Sequence, residues 1–280
     1  MEFALRAESL KRWLMRFWFV LVVAGIFVEW WKYVVLGPRG ELVYFLGLSY
    51  EKNLPTWYVS SLLLTCSFLL ALIALATWKK RAPYVWAWGM LSAGFAYISL
   101  DEATTIHENW SNYFDYDGVL YFGWVIPAGI LVATLGLILA RFLVALPRET
   151  RWKFLASGAI YVGGAVGVEL LLGYWTDIAG RKNLIYGLID WVEESMELLG
   201  VTLFCVALVE YIRDHVGAIR VSIHPPEPTV ARQQQSPIAQ PVELIDAQPS
   251  DTVAEETVAE ETVAEETVAE EEEEKVLAAT

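Results

Sequence analysis

Long apolar runs dominate the first 220 positions. Six stretches, at about 14–35, 56–78, 83–107, 119–145, 153–176 and 187–212, carry few charges. At a rise of about 1.5 Å per residue, each is long enough as a helix to cross a hydrocarbon core about 30 Å thick. The pattern predicts an all-α integral membrane protein with six transmembrane helices joined by short connections. The first stretch lacks a secretory cleavage pattern. It is long and ends in Glu29-Trp30-Trp31-Lys32, not in small residues, so it reads as a retained helix.

After Arg220 the apolar runs stop. Residues 225–250 are rich in Pro, Gln and Ser, and Thr-Val-Ala-Glu-Glu then repeats four times from Thr252 to Glu271. A five-residue repeat matches neither helical nor strand periodicity and offers no dry face. Such a charged segment cannot offset its own ordering entropy. The chain therefore divides into a membrane domain, 1–220, and a disordered Pro/Gln-rich linker with a Glu-rich tail, 221–280. The formal charge of −14 belongs almost wholly to the tail. There is no basic patch of the kind nucleic acid requires. The tail is either solvated linker or a docking segment for a basic protein partner.

Lys and Arg set the expected orientation. They gather before the first run (Arg6, Lys11, Arg12, Arg16), after the second (Lys79, Lys80, Arg81), after the fourth (Arg148, Arg151, Lys153) and after the sixth (Arg213, Arg220). The alternate loops hold only Arg39, Lys52, Arg181 and Lys182. Both termini are expected in the cytoplasm, with the bundle in a cell inner membrane. Trp and Tyr fall near the ends of the runs, as interfacial anchors do. Trp30, Trp31, Trp57, Tyr58, Trp110, Tyr113, Tyr121, Trp124, Tyr174 and Trp175 lie at the outer edge. Trp13, Trp18, Trp78, Trp86, Trp88 and Trp152 lie at the inner one. Ala159, Gly163 and Gly167, spaced by four, form a small-residue ridge suited to close helix packing. Pro127 either kinks the fourth helix or sits in its first turns. Cys66 and Cys205, both inside apolar runs, read as small buried hydrophobes.

Ionisable groups within spanning helices are costly, and here they are not scattered. The third run ends in Asp101-Glu102-Ala103-Thr104-Thr105-Ile106-His107-Glu108, the fifth carries Glu169, and the sixth begins with Asp190, Glu193, Glu194 and Glu197. With cytoplasmic termini, all of these fall in the outer half of the membrane. At 100° per residue the four acids of the sixth helix share an arc of about 100°, as do Asp101, Thr104, Thr105 and Glu108 on the third. Glu102 and His107 point to the flanks. A face with four carboxylates must look onto water, a cation or basic partners, and like charges this close cannot all ionise uncompensated. Oxygen donors with one imidazole suit a divalent metal ion: Ca, Mn, Mg, Fe or Zn. The candidate ligands are Asp101, Glu102, His107, Glu108, Glu169, Asp190, Glu193, Glu194 and Glu197. Paired Glu-x-x-His motifs of a di-iron bundle are missing, and a zinc hydrolase would use more than one histidine. The bland reading stays open. Residues 101–108 can sit among headgroups, and Asp190 and Glu193 suit the positive start of a helix. Glu29 is a further candidate, with Lys32 one turn away as its partner. Asn109-Trp110-Ser111 matches a glycosylation sequon.

The Leu100-Asp101-Glu102…Ile106-His107-Glu108 segment, followed by Glu193-Glu194-x-x-Glu197-x-x-Gly200, resembles uncharacterised bacterial polytopic membrane proteins over roughly residues 85–212. That resemblance implies a bacterial inner-membrane protein and carries no reaction with it. Three functions compete. The first is a cation-binding protein for transport or sensing. The second is a metal-dependent or acid/base enzyme acting on a lipid at the outer leaflet, with Glu108 and Glu194 as the catalytic pair. The third is a non-catalytic subunit of a membrane complex.

Overall fold

The computed structural model describes residues 7–36, 41–107 and 116–217. The tail, the domain boundary at 220, Glu108 and the Asn109 sequon all lie outside the described residues. What is described is helical, with no strand. Seven α-helices follow in order: α1 Ala7–Trp30, α2 Leu54–Lys79, α3 Val85–Thr104, α4 Val125–Ala145, α5 Arg148–Val162, α6 Glu169–Ala179 and α7 Leu184–Tyr211. Wider π-helical turns extend α1 over Trp31–Leu36, join α5 to α6 over Gly163–Val168, and prolong α7 over Ile212–Val216.

Five of the resulting rods are long and apolar enough to cross a membrane: Ala7–Val35, Leu54–Lys79, Val125–Ala145, Arg148–Ala179 and Leu184–Val216. The sixth expected span, α3, does not meet that description. Its body mixes Gly, Ser, Tyr and Trp with aliphatic residues, and its last turn carries Asp101 and Glu102. A seam of hydroxyls ties α3 to α2 instead. Ser60 and Ser99 each donate to the other's carbonyl, at 2.9 and 2.8 Å. Ser67 and Ser92 do the same, at 2.8 and 2.9 Å. Small side chains let the two backbones approach, and the exchanged bonds satisfy the hydroxyls without water.

The helix α7 is the centre of the bundle. It contributes thirteen buried residues, against three from α4. It runs antiparallel to α1, to which it is clipped by two indoles. Trp18 Nε1 donates to the Ser195 carbonyl at 3.1 Å, and Trp191 Nε1 donates to the Val22 carbonyl at 2.9 Å. Against α5 the approach is backbone to backbone. A Cβ on Gly200 would stand 2.7 Å from the backbone N of Tyr161, and one on Gly164 would stand 2.9 Å from the carbonyl of Glu193. Of the expected ridge only Gly163 lies against α7, a Cβ there standing 3.2 Å from the Met196 side chain; Ala159 and Gly167 are exposed, and Gly167 faces open space. The π turn re-registers the helix, which straight-helix spacing does not anticipate.

One end of the bundle is basic. There Lys153 Nζ bridges Glu149 at 2.5 Å and Glu210 at 2.7 Å, joining α5 to α7. Trp88, expected as an interfacial anchor, is instead buried beside Phe142 (ring centroids 4.8 Å apart), Phe154 and Tyr211. Cys66 and Cys205 are free and buried, as their apolar surroundings imply. At the opposite end Asn53 and Asn183 start α2 and α7, their side-chain oxygens accepting from the N–H groups of Thr56 (3.1 Å) and Tyr186 (2.9 Å).

The glycine contact generates a prediction. Gly200→Ala forces Tyr161 backbone away and is expected to destabilise the fold by about 1–3 kcal/mol. Gly167→Ala, with nothing near it, is expected to be neutral or slightly stabilising through helix propensity. Thermal unfolding of both variants in detergent micelles checks this, and equal melting temperatures would refute the packing account.

Candidate functional site

Opposite the basic end, the side chains of α3, α4, α5, α6 and α7 enclose a cavity of about 610 Å³. Its polar wall brings together Asp101, Glu102, His107, Glu169, Asp190, Glu193, Glu194 and Glu197, each of the sequence-predicted ligands that is described. The four acids of α7 share one face because that helix is regular from Leu184 to Tyr211.

On α5 and α6 the geometry depends on the π turn. Over the eight residues from Tyr161 to Glu169, an ideal helix would rotate Glu169 about 80° off the face of Tyr161. The wider turn at Gly163–Val168 holds Tyr161, Ala165 and Glu169 along the same wall. Glu169, 8% exposed, accepts from Trp124 Nε1 at 3.0 Å, and its carboxyl lies beside that of Glu193. Glu197 lies beside the phenol of Tyr161 and faces Glu102, as does Glu194.

At α3 the structure departs from straight-helix projection. The helix stops at Thr104, and Thr105 takes a left-handed backbone conformation (φ 57°), unusual for a β-branched residue. The reversal carries His107 back over the carboxylate of Asp101. The His107 N–H donates to Asp101 Oδ1 at 2.9 Å, and His107 Nδ1 lies 2.9 Å from Asp101 Oδ2. His107 is thus not on a flank apart from Asp101, and Thr104 turns outward to donate to the Leu100 carbonyl at 2.6 Å.

Several cavity residues were not among the candidates. Glu51, from the segment before α2, lines the wall. Trp124, expected as an interfacial anchor, is a hydrogen-bond donor inside it. Tyr161 and Tyr186 line it too. Arg181 is the only Lys or Arg among the described lining residues. Its guanidinium sits over the rings of Phe122 and Tyr121, at 5.0 and 5.5 Å.

Glu29 is separate. It is fully buried on α1, 3.7 Å from Lys32 as sequence spacing suggested, and it fits because position 187 is glycine. A Cβ there would stand 2.4 Å from Glu29 Oε2. It does not line the cavity. Pro127 lies in the first turn of α4, where its missing N–H costs nothing.

The acids surround the space without converging. Among the described residues, no three of His, Cys, Asp and Glu stand close enough to hold a metal ion directly. Polar atoms nonetheless remain unused. Glu193 Oε2 and Asp190 Oδ2 are buried with no hydrogen-bond partner among the described residues. A site with this much acid and so little base attracts cations and raises their local concentration.

A family model described as a domain of unknown function, DUF8692, matches residues 15–211, a stretch that contains every cavity residue. No curated protein and no solved structure matches the chain.

Water access to the cavity can be measured by thiol labelling. Cysteines placed by Glu194→Cys or Glu102→Cys are expected to react about tenfold faster than native Cys66 and Cys205, which are buried. A cationic methanethiosulfonate is expected to react faster than an anionic one. Equal rates with the two reagents would show that the cavity carries no acidic field.

Proposed function

The chain belongs to the DUF8692 family, a domain of unknown function, and from its geometry we propose that it is a multi-pass membrane protein whose acidic cavity binds a positively charged ligand. In this reading α3 is a sixth span, carried through the bilayer by its hydroxyl seam with α2 and not by its own apolarity. The basic end faces the cytoplasm, following the distribution of Lys and Arg. The cavity then opens in the outer half of the membrane.

One observation carries the proposal. Carboxylates from α3, α6 and α7, with Glu51 before α2, line one cavity in which His107 and Arg181 are the only basic groups among the described residues. So many acids in a partly dry space require a cation or protons for company. Cavities of about 300–1,000 Å³ suit small organic ligands. At about 610 Å³ this one accommodates a hydrated divalent ion or an organic cation more readily than a bare metal. That shape accords with the spread of the acids around the wall.

An acid/base enzyme acting on a lipid is the second reading. What favours it is the Asp101–His107 pair beside the cavity, a carboxylate orienting an imidazole as general bases are oriented. Glu194, which faces Glu102, is one member of the expected catalytic pair; the other, Glu108, lies outside the described residues.

The test is ligand-dependent stability. Calcium, manganese and short primary amines are added in turn to protein purified without chelators. At a ligand concentration about 100 times Kd, a bound cation is expected to add about 2.7 kcal/mol of stability. The Glu194→Gln, Asp101→Asn double variant is expected to lose that shift. If no cation of either kind raises the melting temperature, the proposal fails.

A further inference from the structure

The wall opposite the carboxylates is apolar. It consists of Pro127, Ala128, Leu131 and Val132 of α4, facing Ile98 and Tyr97 of α3. Three of these residues are also open to the outside of the bundle: Tyr97 is 53% exposed, Leu131 52% and Val132 38%. They lie part-way along α3 and α4, well inside the helices and not at their ends.

The gap has a cause in packing. In α4 the buried residues are Val125, near the start, and Leu139 and Phe142, near the end; nothing from Ile126 to Ile138 is buried. The helices α3 and α4 meet at the basic end, where Phe142 packs on Trp88 and Tyr84. At the acidic end the chain after α3 meets the start of α4 again, with the rings of His107 and Trp124 4.9 Å apart, and the cavity lies between these two contacts. A slot bounded by exposed aliphatic side chains at that depth opens onto hydrocarbon, because irregular or polar surface facing lipid is not tolerated there. At the inner side of the slot stands Glu193, 7% exposed, with Oε2 unpartnered.

Resting on the cation-binding reading, we infer that the ligand is an amphiphile with a primary-amine head and an aliphatic tail, which enters sideways from the bilayer between α3 and α4 and places its ammonium among Glu193, Glu197 and Glu169. An ammonium supplies three donors, enough for the free oxygen of Glu193 and its neighbours. The tail stays along Tyr97, Leu131 and Val132 and continues into the lipid, so its length is not limited by the cavity. A bare ion would make no use of the apolar wall. A neutral lipid would leave the carboxylates uncompensated.

Trp124 donates to Glu169 inside the cavity, so its emission reports occupancy, read as the difference between the full chain and its Trp124→Phe variant. Protein in phosphatidylcholine nanodiscs is titrated with dodecylamine, butylamine and dodecanol. In a further arm, phosphatidylethanolamine replaces part of the phosphatidylcholine. Dodecylamine is expected to half-saturate the signal at a concentration at least about tenfold below butylamine, and dodecanol to leave it unchanged. Glu193→Gln with Glu197→Gln is expected to weaken dodecylamine by about tenfold or more. Leu131→Trp with Val132→Trp, at exposed positions where folding is undisturbed, is expected to slow the dodecylamine response and leave that of butylamine unchanged. A response to phosphatidylethanolamine would identify the head as that of a bilayer lipid; its absence, with dodecylamine active, would identify a free long-chain amine. If butylamine matches dodecylamine, or the slot variant slows neither, sideways entry is overturned and cation binding survives. If calcium or manganese alone perturbs Trp124, the amphiphile is overturned and the acidic site stands. If nothing perturbs it, both readings fall.

Discussion

The backbone-to-backbone contact of α7 with α5 shapes everything at the acidic end of the bundle. Gly200 lies against Tyr161, and Gly164 against the carbonyl of Glu193. With no side chain between them, the two helices bring Tyr161 and Glu197 within hydrogen-bonding reach. The π turn that follows Gly163 then aims Glu169 at Glu193. Any bulk at these glycines separates the walls that carry the acids. Local backbone geometry, packing and chemistry thus meet at two residues without side chains.

Charge is managed differently at the two ends. At the basic end Glu210, the buried acid described there, has a cation. Glu210 meets Lys153, and that ammonium also reaches Glu149. At the other end, outside the cavity, Glu29 on α1 has Lys32, itself held over Tyr33 and Tyr50 at 4.8 and 4.5 Å. At the cavity the balance is reversed, with acids lining the wall and Arg181 drawn towards two aromatic rings. A buried ion pair contributes little net stability, and an unpaired buried charge costs several kcal/mol. The fold carries that cost at one place and avoids it elsewhere, which is how sites for charged ligands differ from structural ion pairs.

The sequence was legible where helices are regular. Hydropathy marked the long rods, and the arc of Asp190, Glu193, Glu194 and Glu197 followed from 100° per residue because α7 has no interruption before Tyr211. The same arithmetic misplaced His107, since the helix ends at Thr104 and a single left-handed residue turns the chain back. It also put the packing ridge on Ala159, Gly163 and Gly167, since a π turn is not visible as a period. Trp88 and Trp124 were read as anchors, because composition does not distinguish an indole at an interface from one in a core or bonded to a carboxylate. Glu51 had no signal at all. Its place on the wall comes from the path of the chain into Asn53, the cap of α2. The helix α3 illustrates the reverse problem: its attachment to α2 rests on paired serines, which hydropathy scores against it.

The helix α4 has buried residues only near its two ends, and none from Ile126 to Ile138. A beam held more firmly at its two ends than along its length deflects most at mid-span. In α4 mid-span is close to Leu131 and Val132, so thermal bowing of this rod is largest beside those residues. It is smallest at Val125 and Phe142, where the supports are. The compliant side of the chamber is therefore its greasy flank, while the acidic floor, fixed by glycine contacts to α7, stays rigid.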